Sequence, residues 1–285
     1  MKLNFVRILG LLTAVVFFYA SCKKAALAPA PSAQNLIADS VASQIALNLM
    51  ASMNGKYGGI NINDGIKAPA SLNPIPKGPA VNSIDLMCGF TIDSTYNYSD
   101  NSIRDQTSRY WGHFKFVYTC STSYLDGYRV DDTVNKRVNG TNRSITNSVS
   151  QDYIVKALDL TYKVVSMNGS SWLSTIYGDT YGGYYSEITL KSHYYYQGVK
   201  VAFSTGTADM NGVVQFITDY VDPVKGVTFH FTGTIVFTGG NTAAQLNVDN
   251  VYDPTGKGNF VPEGNGGISY SVNLITGVIT KTGTY

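Results

Sequence analysis

Residues 114–120 read Phe-Lys-Phe-Val-Tyr-Thr-Cys, and the pattern in this stretch decides the fold. Aromatic residues and a cysteine occupy every second position, while Lys115, Val117 and Thr119 fill the positions between them. Successive side chains of a β-strand point to opposite faces, so a period of two predicts a strand with one buried face.

Similar strand-like runs follow almost to the end of the chain. They cover about 84–92, 126–137, 145–150, 153–166, 171–177, 184–196, 199–205, 212–221, 227–238, 243–251, 267–274 and 277–284. Hairpin turns are predicted at Asn-Gly 139–140, 168–169 and 211–212, at Asp-Gly 126–127, and at 222–226 and 276–277. No crossover helix long enough for parallel pairing separates the runs. The predicted fold class is therefore mainly β: an antiparallel sheet, sandwich or barrel-like, with one N-terminal α-helix.

The composition excludes two classes of protein. Of 285 residues, 44% are hydrophobic, 14% are charged and the formal net charge is +2. Disordered chains are poor in apolar residues and rich in net charge, so this chain is expected to fold. A charge this small provides no basic footprint for phosphates, so nucleic acid is not an expected partner.

The predicted helix covers 34–53, where apolar residues recur at spacings of three and four. Its apolar face consists of Ile37, Ala38, Val41, Ala42, Ile45, Ala46, Leu49 and Met53. Gln34, Asp39, Ser43 and Asn48 are expected on the opposite face. Ser32 can cap the start of the helix and Gly55 can end it. The polar face lacks the Lys and Arg of an interfacial membrane helix, so packing against the sheet is expected instead.

The N-terminus has the features of a signal peptide. Lys2 and Arg7 precede an apolar run at 8–20 that is too short to span a bilayer. The following Tyr-Ala-Ser-Cys at 19–22 resembles a bacterial lipobox, in which cleavage precedes a cysteine that becomes lipidated. The resemblance implies lipidation at Cys22. The alternative is an ordinary signal peptide with an incidental cysteine.

The residues after the lipobox suggest a location. The Cys-Lys-Lys start at 22–24 looks like that of lipoproteins from the Bacteroidota. Surface-exported members of that group tend to carry acidic residues here, so the lysines favour the periplasmic face of the outer membrane over the cell surface. The predicted organisation is a signal peptide over 1–21, a tether rich in Ala and Pro over 22–33, and a single β-rich domain over 34–285.

Two cysteines remain after Cys22. In an oxidising cell envelope, Cys88 and Cys120 are predicted to form a disulfide, and two buried free thiols are the alternative. The histidines are not spaced as metal ligands, so no metal site and no cofactor are expected. No Gly-x-Ser-x-Gly motif is present, although a Ser-His-Asp triad can still assemble in space.

Tyrosines are concentrated between 177 and 196. Trp172, Tyr184, Tyr194 and Tyr196 are the candidate ligand-contact aromatics, because an exposed aromatic row can stack on sugar rings. The alternative is that these residues stabilise the sheet through cross-strand pairs.

The expected function is therefore that of a lipid-anchored cell-envelope protein, attached to the membrane through its N-terminal lipid. A non-enzymatic binding or structural role is favoured, with a partner protein, a glycan or an apolar ligand. The alternatives are a lipid-anchored hydrolase with a site not visible in the linear sequence and a structural subunit of a surface assembly.

Overall fold

The computed structural model describes residues 33–55, 62, 65–66, 88–103, 105–122, 124–181, 184–204, 207–240, 243–252, 267–274, 276 and 278–284. Ala38–Tyr285 cluster as one compact unit. The helix α1 spans Ala33–Met53. The strands are β1 Thr91–Asp100, β2 Thr107–Ser121, β3 Tyr124–Asn139, β4 Arg143–Ala157, β5 Val164–Tyr181, β6 Tyr184–Ser204, β7 Thr207–Asp222, β8 Val227–Thr238, β9 Ala243–Tyr252, β10 Ile268–Asn273 and β11 Ile279–Thr284.

All eleven strands belong to one antiparallel sheet. Their order in the sheet is their order in the sequence, from β1 to β11. Short connections between consecutive strands produce this meander, because an antiparallel neighbour needs only a tight turn. The prediction of a mainly β fold with one N-terminal helix is confirmed. The sheet is not closed and has β1 and β11 at its edges, so among the predicted forms the single antiparallel sheet is the one observed.

The predicted hairpin turns are only partly correct. The turns at 139–140 and 222–226 lie between strands, and the N–H of Gly140 donates to the carbonyl of Arg143 at 2.7 Å. The dipeptides at 126–127, 168–169 and 211–212 instead lie inside β3, β5 and β7. Gly169 has a φ of 136° at a bulge where β5 crowds β4, and a Cβ there would overlap the backbone of Tyr153. A glycine is needed at position 169 because the two strands approach each other closely there, and it does not mark a hairpin turn.

The actual β4–β5 turn lies at 158–163, within a run predicted to be strand. Asp159 organises this turn, because its carboxylate accepts hydrogen bonds from the backbone N–H groups of Thr161, Lys163 and Val164. These bonds hold the pKa of Asp159 below its usual value, with the Thr161 hydroxyl contributing most. An Asp whose carboxylate bonds to the backbone of the residues that follow it is a turn signal.

The helix packs against one face of the sheet, which we call the inner face. The helix residues buried there match the predicted apolar stripe: Val41, Ala42, Ile45, Ala46, Leu49 and Met53. Gly55 follows the last turn with a φ of 67°, as predicted for the helix end. Asn48 is an exception to the prediction, because it was expected on the polar face and is buried. Among the described residues, no helix combines the length and hydrophobicity needed to cross a membrane.

Three hydrogen bonds fix how the helix crosses the sheet. Gln151 Nε2 of β4 donates to Ser52 Oγ at 2.7 Å, and Tyr194 Oη of β6 donates to the carbonyl of Ile45 at 2.8 Å. The helix advances about 10 Å between residues 45 and 52, which equals about two strand spacings. The helix therefore crosses β4 to β6 nearly perpendicular to the strands.

The third bond shows that the sheet is curved. Tyr270 Oη of β10 donates to Asp39 Oδ1 at 2.7 Å. From Ile45 to Asp39 the helix advances about 9 Å, whereas β6 and β10 would be about 19 Å apart in a flat sheet. The sheet must therefore bend towards the helix between these strands. Register shifts in the β6–β7 and β8–β9 pairs provide bulges that permit such bending.

Cys88 and Cys120 form a disulfide, with their Cα atoms 5.7 Å apart, as predicted. The bond connects the residues just before β1 to the end of β2. Of the strand predicted over 84–92, residues 88–90 are not strand, and β1 begins at Thr91. Residues 84–87, the signal peptide, Cys22 and the tether up to residue 32 lie outside the described residues, so the predictions about them stay predictions. Ala33, predicted to end the tether, is the first residue of α1.

Candidate functional site

The consecutive tyrosines of β6 divide between the two faces of the sheet. Tyr194 and Tyr196 are 0% and 2% exposed on the inner face. Tyr194 Oη bonds to helix α1, and Tyr196 Oη lies 2.7 Å from Ser171 Oγ. Burial also raises the pKa of Tyr196. The prediction that these two residues contact a ligand is therefore corrected: both are core residues whose hydroxyls are already hydrogen-bonded.

The outer face of β5 and β6 carries a different aromatic cluster. Trp172 lies over His193 with ring centroids 3.7 Å apart and an interplanar angle of 23°. The ring centroids of His193 and Tyr195 are 3.8 Å apart. We call these three residues the outer aromatic platform. Trp172 is 54% exposed and His193 only 9%, so the indole covers the imidazole and presents its other face to solvent.

The pairing of β5 with β6 brings the platform together. Trp172 lies directly opposite His193 in the antiparallel register. Tyr195 follows two residues later on β6 and therefore shares the outer face. A bulge between Met167 and Gly169 shifts the register at the neighbouring end of the pair. The platform lies on β5 and β6, and each of these strands is hydrogen-bonded to a neighbour on both sides. A site on such strands is more rigid than a site on loops.

His193 acts as an aromatic ring in this arrangement. Its Nε2 atom is buried and has no hydrogen-bond partner in the described part of the chain. Loss of solvation lowers the pKa of His193, since burial disfavours the charged imidazolium. The His193 ring stacks on the indole of Trp172 and lies tilted by 42° against the ring of Tyr195.

A groove of about 150 Å³ lies beside Trp172 on the outer face. Eight residues line it: Trp172, Lys191, Val149, Leu173, Thr133, Ser148, Ser150 and Ser174. Ligand pockets for drug-sized molecules usually measure about 300–1,000 Å³, so this groove fits a single ring. The surface that these residues present to the groove is almost entirely apolar.

A second concavity of about 320 Å³ lies on the same face and is lined by Lys115, Val117, Arg129 and Asp131. Its cations are engaged within the protein. Arg129 Nη2 lies 2.9 Å from an oxygen of Asp152, and Lys115 Nζ lies 3.8 Å from Asp93. Because opposite charges compensate each other here, this groove has less to offer a charged ligand.

Two histidine–aspartate pairs on the sheet surface bear on the hydrolase alternative. His113 Nε2 lies 2.7 Å from Asp93 Oδ1, and His230 Nδ1 lies 2.6 Å from Asp219 Oδ1. The bond from His113 lowers the pKa of Asp93. Within the described ranges, no serine or threonine hydroxyl bonds to either imidazole, and no group of three or more His, Cys, Asp or Glu is placed to hold a metal ion. Among the described residues, these pairs therefore have no third member of a nucleophilic triad.

A buried carboxyl group on the inner face, unlike those of Asp93 and Asp219, has no histidine partner in the described part of the chain. Asp132 of β3 is 1% exposed, and neither of its oxygens makes a well-formed hydrogen bond within the described residues. Burial raises its pKa well above the usual value, and the neighbouring charge of Asp131 adds to this effect. The backbone amide of Gln151 on β4 opposes the shift less strongly. Asp132 is therefore a carboxyl for which the neutral form is favoured.

Of the four predicted ligand-contact aromatics, only Trp172 has a described side chain that is open to solvent. The side chain of Tyr184 lies outside the described residues. His193, Tyr195 and Lys191 were not predicted. The alternation of β6 contains the signal that could have identified them, because Glu187, Lys191 and His193 share the odd positions with Tyr195. Charged residues mark the solvent face of a strand.

Comparison with known proteins identifies no relative: no family model, curated protein or solved structure matches this chain.

Proposed function

We propose that this protein is a lipid-anchored protein of the cell envelope that binds glycans without modifying them, through the outer aromatic platform. One observation carries the proposal: Trp172 is more than half exposed, yet it is held flat against His193. An exposed indole keeps apolar surface in contact with water, and a ligand that covers this surface gains the free energy of its burial. The face of a sugar ring, with its row of C–H groups, is a suitable cover.

The groove beside Trp172 supports a single ring as the ligand. Its volume is about 150 Å³, and the surface that it presents is almost entirely apolar, although Thr133, Ser148, Ser150 and Ser174 are among the residues that line it. An apolar surface next to the indole matches the C–H face of a sugar ring.

The location rests on the sequence around Cys22. The lipobox-like residues at 19–22 support acylation of this cysteine, and two or three acyl chains give stable membrane anchoring. The lysines at 23–24 support the periplasmic face of the outer membrane. A Cys22→Ala variant is expected to leave the membrane fraction, and unchanged membrane fractionation would contradict lipidation.

Affinity electrophoresis tests the binding proposal. The full-length protein in mild detergent runs through gels that contain soluble neutral or acidic polysaccharides, and at least one glycan class is expected to retard it. Trp172→Ala should weaken that retardation at least fivefold, equivalent to about 1 kcal/mol of lost stacking. Trp111→Ala is the matched control, since Trp111 lies on the outer face of β2, three strands away, with Arg109 over its ring at 5.5 Å.

Two results would overturn the proposal. One is a protein that no glycan in the panel retards. The other is retardation that Trp172→Ala and Trp111→Ala change equally, because that would place the glycan site away from the platform.

A further inference from the structure

Two neighbouring side chains on the inner face of the sheet contain three buried oxygens that lack a donor. Asp132 of β3 and Gln151 of β4 lie directly opposite each other in the antiparallel register. They are 1% and 2% exposed. Within the described residues, neither carboxyl oxygen of Asp132 nor Oε1 of Gln151 has a hydrogen-bond partner. Nearly all buried polar atoms in folded proteins are hydrogen-bonded, so these three acceptors require a donor.

The two side chains are close enough to bond to each other. Residues directly opposite on antiparallel strands point to the same face, with Cβ atoms about 4.5–5.5 Å apart. The carboxyl group of Asp132 also lies near the backbone amide of Gln151, which acts on its pKa. Helix α1 orients the side-chain amide of Gln151, since Nε2 donates to Ser52 Oγ at 2.7 Å. This bond leaves Oε1 as the atom of the amide group that still needs a donor.

We infer that Asp132 carries a proton in the folded protein and donates it to Oε1 of Gln151, which couples β3 through β4 to helix α1. The proton comes from solvent and returns to it when the carboxyl group ionises. Ser52 lies in the last turn of α1, which ends at Met53, so the three bonded side chains fasten that turn to the sheet. The fold thereby contains a pH-sensitive link between sheet and helix, and this link does not depend on glycan binding.

Reversal of the Gln151 amide is the alternative arrangement. Nε2 then donates to an ionised Asp132, and the Ser52 hydroxyl donates to Oε1. That arrangement buries a full negative charge. In the described part of the chain, the charge that acts on Asp132 is the like charge of Asp131, and no cation opposes it. Burial of a charge without an opposite charge is costly, so the protonated form is favoured.

The other groups around Asp132 stay neutral below about pH 10. Tyr96 of β1 and Tyr153 of β4 face the carboxyl group, and burial raises the pKa of each. Phe114 is the neighbour of Asp132 on β2. Helix α1 has one ionisable side chain, Asp39, which bonds to β10. Any change in the link below that pH is therefore due to Asp132 itself.

Infrared spectroscopy tests the protonation directly, because a protonated carboxyl group has a C=O stretching band that a carboxylate lacks. The full-length protein in mild detergent should show this band at about pH 7, and Asp132→Asn should remove it. Asp131→Asn is the matched control: Asp131 is exposed on the opposite face, and the variant should keep the band. In Gln151→Met, the pH at which half of the band is lost should fall by about one unit, because the neutral form loses a buried hydrogen bond.

Hydrogen exchange tests the link to the helix and uses only proteins that are expected to fold. Exchange rates in the last turn of α1, divided by the intrinsic rate at each pH, should rise at least about tenfold from about pH 6 to about pH 9 in the wild type. Asp132→Asn should show no such rise, since asparagine keeps a donor for Gln151 at both pH values. The turn around Asp39 is the internal control, because its bond to Tyr270 does not involve Asp132.

Each part of the inference can fail separately. A wild type without the band at pH 7, or a band that Asp132→Asn retains, would overturn the protonation. A half-loss pH that Gln151→Met leaves unchanged or raises would show that Oε1 does not accept the proton, and would overturn the inference as well. If Gln151→Met does not fold, hydrogen exchange decides, and equal increases in the wild type and Asp132→Asn would contradict the link.

Discussion

The two faces of β6 use the same kinds of side chain for opposite purposes. On the inner face, Tyr194 is fully buried and its hydroxyl bonds to the carbonyl of Ile45. On the outer face, the adjacent Tyr195 extends a stack that includes His193 and the exposed Trp172. A tyrosine contributes to the fold where a second element covers it and satisfies its hydroxyl. Where no element covers the aromatic surface, that surface remains accessible to a ligand.

The helix causes this difference between the faces. It lies against the inner face, where it provides hydrogen-bond acceptors for Tyr194 of β6 and Tyr270 of β10 through Ile45 and Asp39. Among the described residues, no element packs on the platform, which leaves the indole of Trp172 54% exposed. The contrast between the faces can be tested by substitutions that should affect one face and not the other.

The largest effect is expected from substitution of adjacent tyrosines on opposite faces. Tyr194→Ala should lower the free energy of unfolding by about 3–5 kcal/mol, since it creates a cavity beneath the helix and leaves the Ile45 carbonyl without this donor. Tyr195→Ala should cost about 0.2–1 kcal/mol, the value of a cross-strand contact on an open face. Urea unfolding followed by circular dichroism measures both. Equal losses would show that the two faces are not distinct.

Substitution of Asp132 on the inner face is expected to raise the free energy of unfolding, by less than Tyr194→Ala lowers it. The raised pKa of Asp132 means that the folded protein retains a proton that the unfolded chain loses above about pH 4. The contribution of this bound proton to the free energy of unfolding is fully present below about pH 4. It is lost as the pH rises through the raised pKa of Asp132 in the folded protein. Tyr96 and Tyr153 face this carboxyl, and neither carries charge at neutral pH, because both pKa values are raised by burial.

Asp132→Asn removes this dependence and keeps the shape of the side chain. The variant should be more stable than the wild type by about 1–3 kcal/mol at pH 7–8, where the wild type must bury a charge or bind a proton. The gain should vanish near pH 4. Unfolding free energies measured in urea across this range provide the test, and a variant that is less stable at pH 8 than at pH 4 relative to the wild type would contradict it.

The smallest effect on stability is expected at the platform itself. Trp172→Ala should change the free energy of unfolding by less than about 1 kcal/mol, because the indole contacts a strand neighbour and covers no core. It should also expose the His193 ring. A loss of several kcal/mol would mean that Trp172 is a structural residue, and any reduction in glycan binding by this variant would then have no bearing on the site.

Much of the fold could be predicted from local sequence patterns. The helix prediction ends correctly at Met53, and the strand predicted over 227–238 has the bounds of β8. Both follow from periodicity, which reports directly on burial. Most of the edge strand β1 lies beyond the run predicted over 84–92, because only Tyr96 within β1 is buried and its alternation is therefore weak. A single curved sheet was not predicted over a sandwich because curvature depends on bulges and on helix contacts between distant residues.

The candidate site was harder to predict because it depends on strand register. Trp172 was identified correctly as a candidate, but its partner His193 is its neighbour only through the pairing of β5 with β6. The bulge at Gly169 affects that register, and the same residue was interpreted as a hairpin turn. The side chain of Tyr195, and not those of Tyr194 and Tyr196, lies on the outer face, and the exposed Lys191 marks those outer positions in the sequence of the strand.

The central claim is that Trp172 forms the ligand-binding surface, and tryptophan fluorescence tests it most directly. The chain contains two tryptophans, Trp111 and Trp172, so Trp111→Phe leaves Trp172 as the single reporter. Titration with oligosaccharides of the retained glycan should shift its emission in a saturable manner, with the same Kd that calorimetry gives. Binding seen by calorimetry with no change in Trp172 emission would contradict the claim and place the site elsewhere on the protein.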